Sequence, residues 1–173
     1  MWPEKRLESY PYHNSQRGEF GYQLYKQMIK DKDIFLVLPD LGYGLFDSHV
    51  EDFPERVLRV GAAEQAGMGI AVGLALEGKK PFIYTITSFL LYRPFETVRN
   101  YIHHEAISVR LVGSGRDDDY LHDGFSHYSF EANVIMKVLY NINTLWPQEK
   151  EEIPQMIEQM VKEDKPWFIS LRR

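Results

Sequence analysis

The sequence predicts an α/β fold, a three-layer α/β/α arrangement around a mainly parallel sheet of about six strands. Short runs rich in β-branched and aromatic residues alternate with longer helical patterns along the 173 residues. Most of the short runs are continuously apolar, which suits strands covered on both faces. Strands separated by helices imply right-handed crossovers and hence parallel neighbours.

The elements follow in order. Residues 1–14, with Trp2, Tyr10 and Tyr12 among prolines, read as an arm laid on a surface, with a partner's surface as one candidate. Residues 15–173 read as one domain, with no linker, repeat or low-complexity stretch inside it. A helix over 15–30 leads to strand 34–38, and a strand at 57–60 opens a glycine-rich helix over 63–77. Strand 82–87 feeds a helix over 90–104, and strand 107–112 feeds a polar loop and a helix over 126–139. A strand at 140–145, a helix over 148–163 and a closing strand at 167–171 complete the alternation.

Bulk properties narrow the function. Hydrophobic residues make up 44% and aromatics 14%, so the chain buries a full core. A net charge of −5 supplies no basic stripe for nucleic acid. Cysteine is absent, which excludes disulfides and thiolate metal sites. No apolar core follows the first six residues, as a signal peptide would require, and the apolar run through Leu76 stops at Glu77-Gly-Lys-Lys80. A soluble cytoplasmic domain is expected.

Glu64 is the most informative residue. It opens a run of small and apolar residues reaching Leu76, in which only Glu64 and Gln65 are strongly polar. A buried carboxylate is costly unless it is paired or protonated. Five glycines lie between Gly61 and Gly78, each costing about 1 kcal/mol relative to alanine inside a helix. Both costs together suit a dry site that needs close backbone approach. The ordinary alternative is a first-turn glutamate favouring the helix dipole. Ala62, Ala66, Gly69 and Gly73 share one helical face, expected to pack against another backbone within the domain or across a subunit contact. Glu64, Met68, Ala71 and Ala75 face roughly the other way.

Other candidates follow strand ends, where open parallel sheets bind ligands. Phe89, Tyr92 and Phe95 recur at helical spacing after strand 82–87; they suit either the core or a stacking surface for a flat ring. The loop after strand 107–112 gathers Arg116, His122, Asp123 and His127 within twelve residues. Its spacing matches no metal-ligand pattern, and Asp117–Asp119 read as a solvated turn. His103-His104 sit near a helix C-terminus, as the dipole favours.

Four motifs, in this order, carry a resemblance. They are Arg59-Val-Gly-Ala-Ala-Glu64-Gln65, Gly73-Leu-Ala-Leu-Glu-Gly-Lys-Lys-Pro81, Tyr84-Thr-Ile-Thr-Ser-Phe89-Leu90 and Asp123-Gly-Phe-Ser-His127. With Trp146-Pro147 and the closing Lys165-Pro-Trp-Phe-Ile-Ser-Leu171, the chain resembles the pyrimidine-binding domain of transketolase-like thiamine diphosphate enzymes from about residue 16 onward. The resemblance implies that Glu64 hydrogen-bonds the cofactor's pyrimidine ring nitrogen and promotes the tautomer that acts as base. It places Phe89, Tyr92 and Phe95 around the aminopyrimidine and Asp40 near the cofactor. It sets Asp123 and His127 against sugar hydroxyls, and Arg116 toward substrate. Ser126 stands where threonine is usual, and Tyr128 replaces a common glutamine.

The family's diphosphate-binding domain, with its magnesium motif of Gly-Asp-Gly and a distant Asn, has no counterpart in these residues. The resemblance therefore implies a separate partner subunit that binds Mg2+ and the diphosphate, in an assembly with at least two of each chain. Ketol transfer from a sugar phosphate or related ketose is the expected reaction. The alternatives are 2-oxo acid decarboxylation or dehydrogenation, a non-catalytic scaffold, and a flavodoxin-like binding module.

Overall fold

A computed structural model describes residues 6–173; residues 1–5, Trp2 among them, lie outside the described residues. Six strands form one sheet: β1 Ile34–Leu38, β2 Val57–Arg59, β3 Lys80–Ile86, β4 Arg110–Ser114, β5 Asn143–Leu145 and β6 Trp167–Leu171. Their order is β2-β1-β3-β4-β6-β5, and every neighbouring pair is parallel. The expected fold class holds.

Helices cover both faces because side chains alternate along each strand. Leu36, Phe82, Tyr84, Val112 and Ile169 pack beneath α1 (Gln16–Lys30), α2 (Asp47–Asp52) and, later in the chain, a helix over Ile153–Lys162. Val37, Ile83, Leu111 and Phe168 pack beneath α3 (Glu64–Leu76), α4 (Thr87–Tyr92) and a helix over Ala132–Val138. Between α4 and that helix lies the single turn α5 (Phe95–Thr97), so Ala132–Val138 is α6 and Ile153–Lys162 is α7. Ser15 caps α1, its hydroxyl accepting from the Gly18 amide at 3.0 Å.

Several elements differ from expectation for identifiable reasons. The helix expected over 90–104 begins earlier, at Thr87, and breaks at Pro94, which has no N–H to continue the ladder. The chain restarts in α5 and runs on as a π-helix over Val98–His104. The helix expected over 126–139 forms only from Ala132, because Ser129 is tied into a turn. Its amide donates to the Asp117 carbonyl at 3.0 Å and its hydroxyl to the Gly115 carbonyl at 3.3 Å. Residues 140–142 stay outside β5, where Tyr140 is exposed and packs edge-on to His103 at 4.8 Å. Helix α2 has no counterpart in the pattern of the sequence.

The described part of the arm covers its own domain. Tyr10 lies 5.2 Å from both the Tyr22 and Tyr25 rings, and Arg6 pairs with Asp52 at 2.6 Å. A partner surface is not needed to explain these residues.

Candidate active site

The end of the sheet where strands finish collects the polar side chains. Glu64 is the first residue of α3, following β2, and is only 4% exposed. Its burial follows from the helix's facing: Met68, Ala71 and Val72 point into the core on the same side. Gly67 lets α3 approach the sheet, since a Cβ there would sit 3.1 Å from Val60 Cγ2. Next to Glu64, the Gln65 amide donates to the Thr97 hydroxyl at 2.7 Å and ties α3 to α5.

Glu64 has a partner that the sequence alone does not reveal. Arg93 Nη1 donates to Glu64 Oε1 at 2.6 Å, and the same guanidinium lies 3.5 Å from the centre of the Phe89 ring. Pro94 places it there: α4 stops at Tyr92, and Arg93 turns across the end of α3. A planar group rich in N–H donors is thus stacked on an aromatic ring while hydrogen-bonded to a buried carboxylate. The residues holding it suit an aminopyrimidine, which is also flat and also presents ring nitrogen and amine hydrogen-bonding groups.

His127 joins this cluster from the neighbouring strand's loop. Its ring meets Phe89 edge-on at 4.8 Å, and its Nδ1 lies 3.0 Å from the Ser126 hydroxyl. Ser88 in α4 holds the loop by donating to the Ser126 carbonyl at 2.8 Å. The loop and the aromatic helix therefore meet, although they follow different strands, because β3 and β4 are adjacent.

The remaining candidates are more scattered. Asp40 lies exposed just beyond β1 at a positive φ of 39°, accepting from the Tyr43 hydroxyl at 3.3 Å. Tyr92 and Phe95 are partly exposed, and the Tyr92 hydroxyl donates to Glu131 at 3.1 Å. Burial and that carboxylate push the Tyr92 phenol up to about 12. Asp123 is exposed beside His122 at 3.1 Å.

Arg116 lies largely inside the fold. It is buried and donates to the Pro147 carbonyl at 3.0 Å and to the Ser170 carbonyl and hydroxyl, and burial lowers its pKa. It braces β6 against the Trp146-Pro147 segment. The Asp117–Asp119 turn serves the same end of the sheet, with Asp119 accepting from the Arg116 and Arg173 amides, each at 2.9 Å.

A cavity of about 500 Å3 opens beside the ends of β1 and β3, lined by His13, Ser15, Arg17, Tyr43 and Tyr84 among others. Arg17 is not among the residues that the sequence singles out. Its Nε is buried without a hydrogen-bond partner, while Nη1 donates to the Tyr120 hydroxyl at 3.3 Å. Tyr120 lies 6.3 Å from His127, so the cavity and the Glu64 cluster are linked through adjoining rings. The available signal was position, one residue inside the start of a helix whose dipole favours anions.

A family model described as the transketolase pyrimidine binding domain matches residues 16–173. An uncharacterized 33.6 kDa protein in the fasciation locus of Rhodococcoides fascians is 27% identical, over 92% of this chain and 51% of its own length. An apulose-4-phosphate transketolase subunit of Actinobacillus succinogenes is 30% identical, over 70% of this chain and 39% of its own. The chain spans about half the length, or less, of these curated relatives. A solved structure described as a split gene transketolase, inactive beta4 tetramer, superposes with a TM-score of 0.81 at 28% identity, covering 92% of this chain and 51% of that one. Transketolase from Campylobacter jejuni shares the fold, with a TM-score of 0.80 at 20% identity over 91% of this chain and 25% of its own. With a family match that begins at the start of α1 and runs through β6, the chain belongs to the transketolase pyrimidine-binding domain family.

Proposed function

We propose that this chain supplies the pyrimidine side of a split, transketolase-like thiamine diphosphate enzyme. In this reading it transfers a ketol group from a sugar phosphate or related ketose, in the cytoplasm. A partner subunit would hold Mg2+ and the diphosphate, and the active site would lie between the chains. The observation that carries the reading is a single planar nitrogen group held at once by the buried Glu64 carboxylate and the Phe89 ring.

When bound, thiamine diphosphate supplies a nucleophilic carbon able to take up and release a ketol unit. The work of this chain's residues is positioning and proton handling. Glu64 would hydrogen-bond the ring nitrogen and exchange a proton there. Phe89 would stack on the ring, and Tyr92, Phe95 and Asp40 would help to hold it. His127 and Asp123 meet substrate hydroxyls and move a proton there. Arg17, a cation lining the cavity, suits the phosphate end of the substrate. Relatives described as apulose-4-phosphate and 6-deoxy-6-sulfo-D-fructose transketolase subunits support ketol transfer between anionic sugars.

Glu64→Gln tests the assignment. Glutamine keeps the shape but cannot exchange a proton, and positioned proton transfer contributes about 10²–10⁴-fold in rate. Turnover of the assembled enzyme should fall within that range while assembly, followed by light scattering, persists. Near-normal turnover would reduce Glu64 to a helix-dipole residue.

A further inference from the structure

Arg93 is used by none of the steps above, yet it lies between the two residues that define the pyrimidine cradle. We propose that Arg93 is a built-in placeholder: its guanidinium fills the berth of the cofactor's aminopyrimidine until the ring displaces it. The inference rests on the thiamine reading of the site.

The contacts have the form a placeholder needs. The guanidinium stacks on Phe89 at 3.5 Å and donates to Glu64 at 2.6 Å, so one flat group satisfies both the ring face and the carboxylate. Lysine could pair with Glu64 but could not stack in the same way. The ring and the guanidinium compete for the same acceptor and the same aromatic face, so both cannot be held there together.

The arrangement also explains how a buried Glu64 is tolerated in this chain. A carboxylate only 4% exposed and unpaired would weigh against folding. Arg93 supplies the missing partner without making the chain depend on cofactor to fold. Its hold is weak enough to release. The side chain is 45% exposed, and among the described residues Glu64 is its only hydrogen-bond partner. A partly exposed ion pair and a cation–π contact together bias such an equilibrium by roughly tenfold. Apparent affinity for the ring falls by the fraction of sites already vacated.

The test uses the full chain and 4-amino-2,5-dimethylpyrimidine, followed by NMR. In the ligand-free wild type, the Arg93 side-chain protons should be shifted upfield by the Phe89 ring current. They should return toward free-arginine positions as the pyrimidine saturates the site. Arg93→Ala should bind the pyrimidine about tenfold more tightly, and Arg93→Lys should fall between the two. Unchanged Arg93 signals at saturation would overturn the placeholder, a result that needs no variant to fold. Equal or weaker binding by Arg93→Ala would also overturn it while leaving the cradle intact. A pyrimidine that binds neither form would overturn the placeholder, whereas the thiamine reading fails only if the assembled enzyme does not bind thiamine diphosphate.

Discussion

His49 in α2 is fully buried between Tyr25 and Phe46, with ring distances of 5.2 and 5.0 Å. Its Nε2 lies 3.1 Å from the Gly21 carbonyl and its Nδ1 has no partner. Burial pushes the imidazole down to about 3 from an ordinary value of 6.5. The folded state refuses a proton that the unfolded chain accepts, so the neutral ring's stabilising effect is fully present above pH 6.5. It is lost as pH falls from 6.5 toward 3, at up to about 1.4 kcal/mol per pH unit. Urea melts across that window should show His49→Phe losing less stability per pH unit than the wild type. Parallel pH profiles would mean that the ring takes up its proton without unfolding. Single residues also mark what the sequence could disclose about the site. Glu64 was legible because a carboxylate in an apolar run has few structural uses. Arg93 was not, because its pairing depends on a helix break that turns the chain back across 29 positions. The backbone partners of Arg116 were not legible for a related reason. Motif position placed it on the substrate loop, while the carbonyls of Pro147 and Ser170 drew it inward.

Helix α3 carries its two messages on different faces. The core face was foreseen and is buried at Glu64, Met68 and Ala71. The small-residue face is exposed in this chain at Ala62, Ala66, Gly69 and Gly73, together with Leu76 at 67%. That stripe is therefore not packed within the described residues, and the proposed assembly would give it a partner. Two glycines of the same helix then separate domain packing from assembly. A side chain at Gly67 runs into Val60, Pro39 and Val37, whereas nothing lies within 4 Å of a Cβ at Gly69. Gly67→Leu should lower the chain's own stability by about 1–3 kcal/mol through overpacking. Gly69→Leu should leave that stability nearly unchanged and instead weaken oligomers detected by light scattering. Assembly unchanged in Gly69→Leu would show that the stripe faces solvent. The elements that the sequence displaced have different causes. The Ser129 turn is set by hydrogen bonds to the Asp117 and Gly115 carbonyls that no local periodicity reports, whereas the break at Pro94 follows from its missing N–H.

At the scale of the whole molecule, the sheet was legible because strands buried on both faces read as apolar runs; β1 and β6 match their expected bounds. The strand order was not, since parallel pairing leaves no local signature. Yet the order is what builds the site. The chain moves from β1 outward to β2 and returns across it to β3, so β1 and β3 mark the switch point where open sheets bind ligands. The Arg17 cavity opens there, and α3 and α4 bring Glu64 and Phe89 to the same end of the sheet. That end is open. Arg93, Tyr92 and Phe95 remain partly exposed there. Among the described residues, no three His, Asp or Glu side chains converge to hold a metal ion. On the proposed reading, the chain by itself should bind thiamine diphosphate weakly, and added Mg2+ should change the affinity little, because only the pyrimidine end would find partners. Calorimetry of the isolated chain with thiamine diphosphate, with and without Mg2+, makes the measurement. Binding with micromolar or tighter affinity that depends on Mg2+ would place the diphosphate site within this chain and remove the need for a partner to complete it.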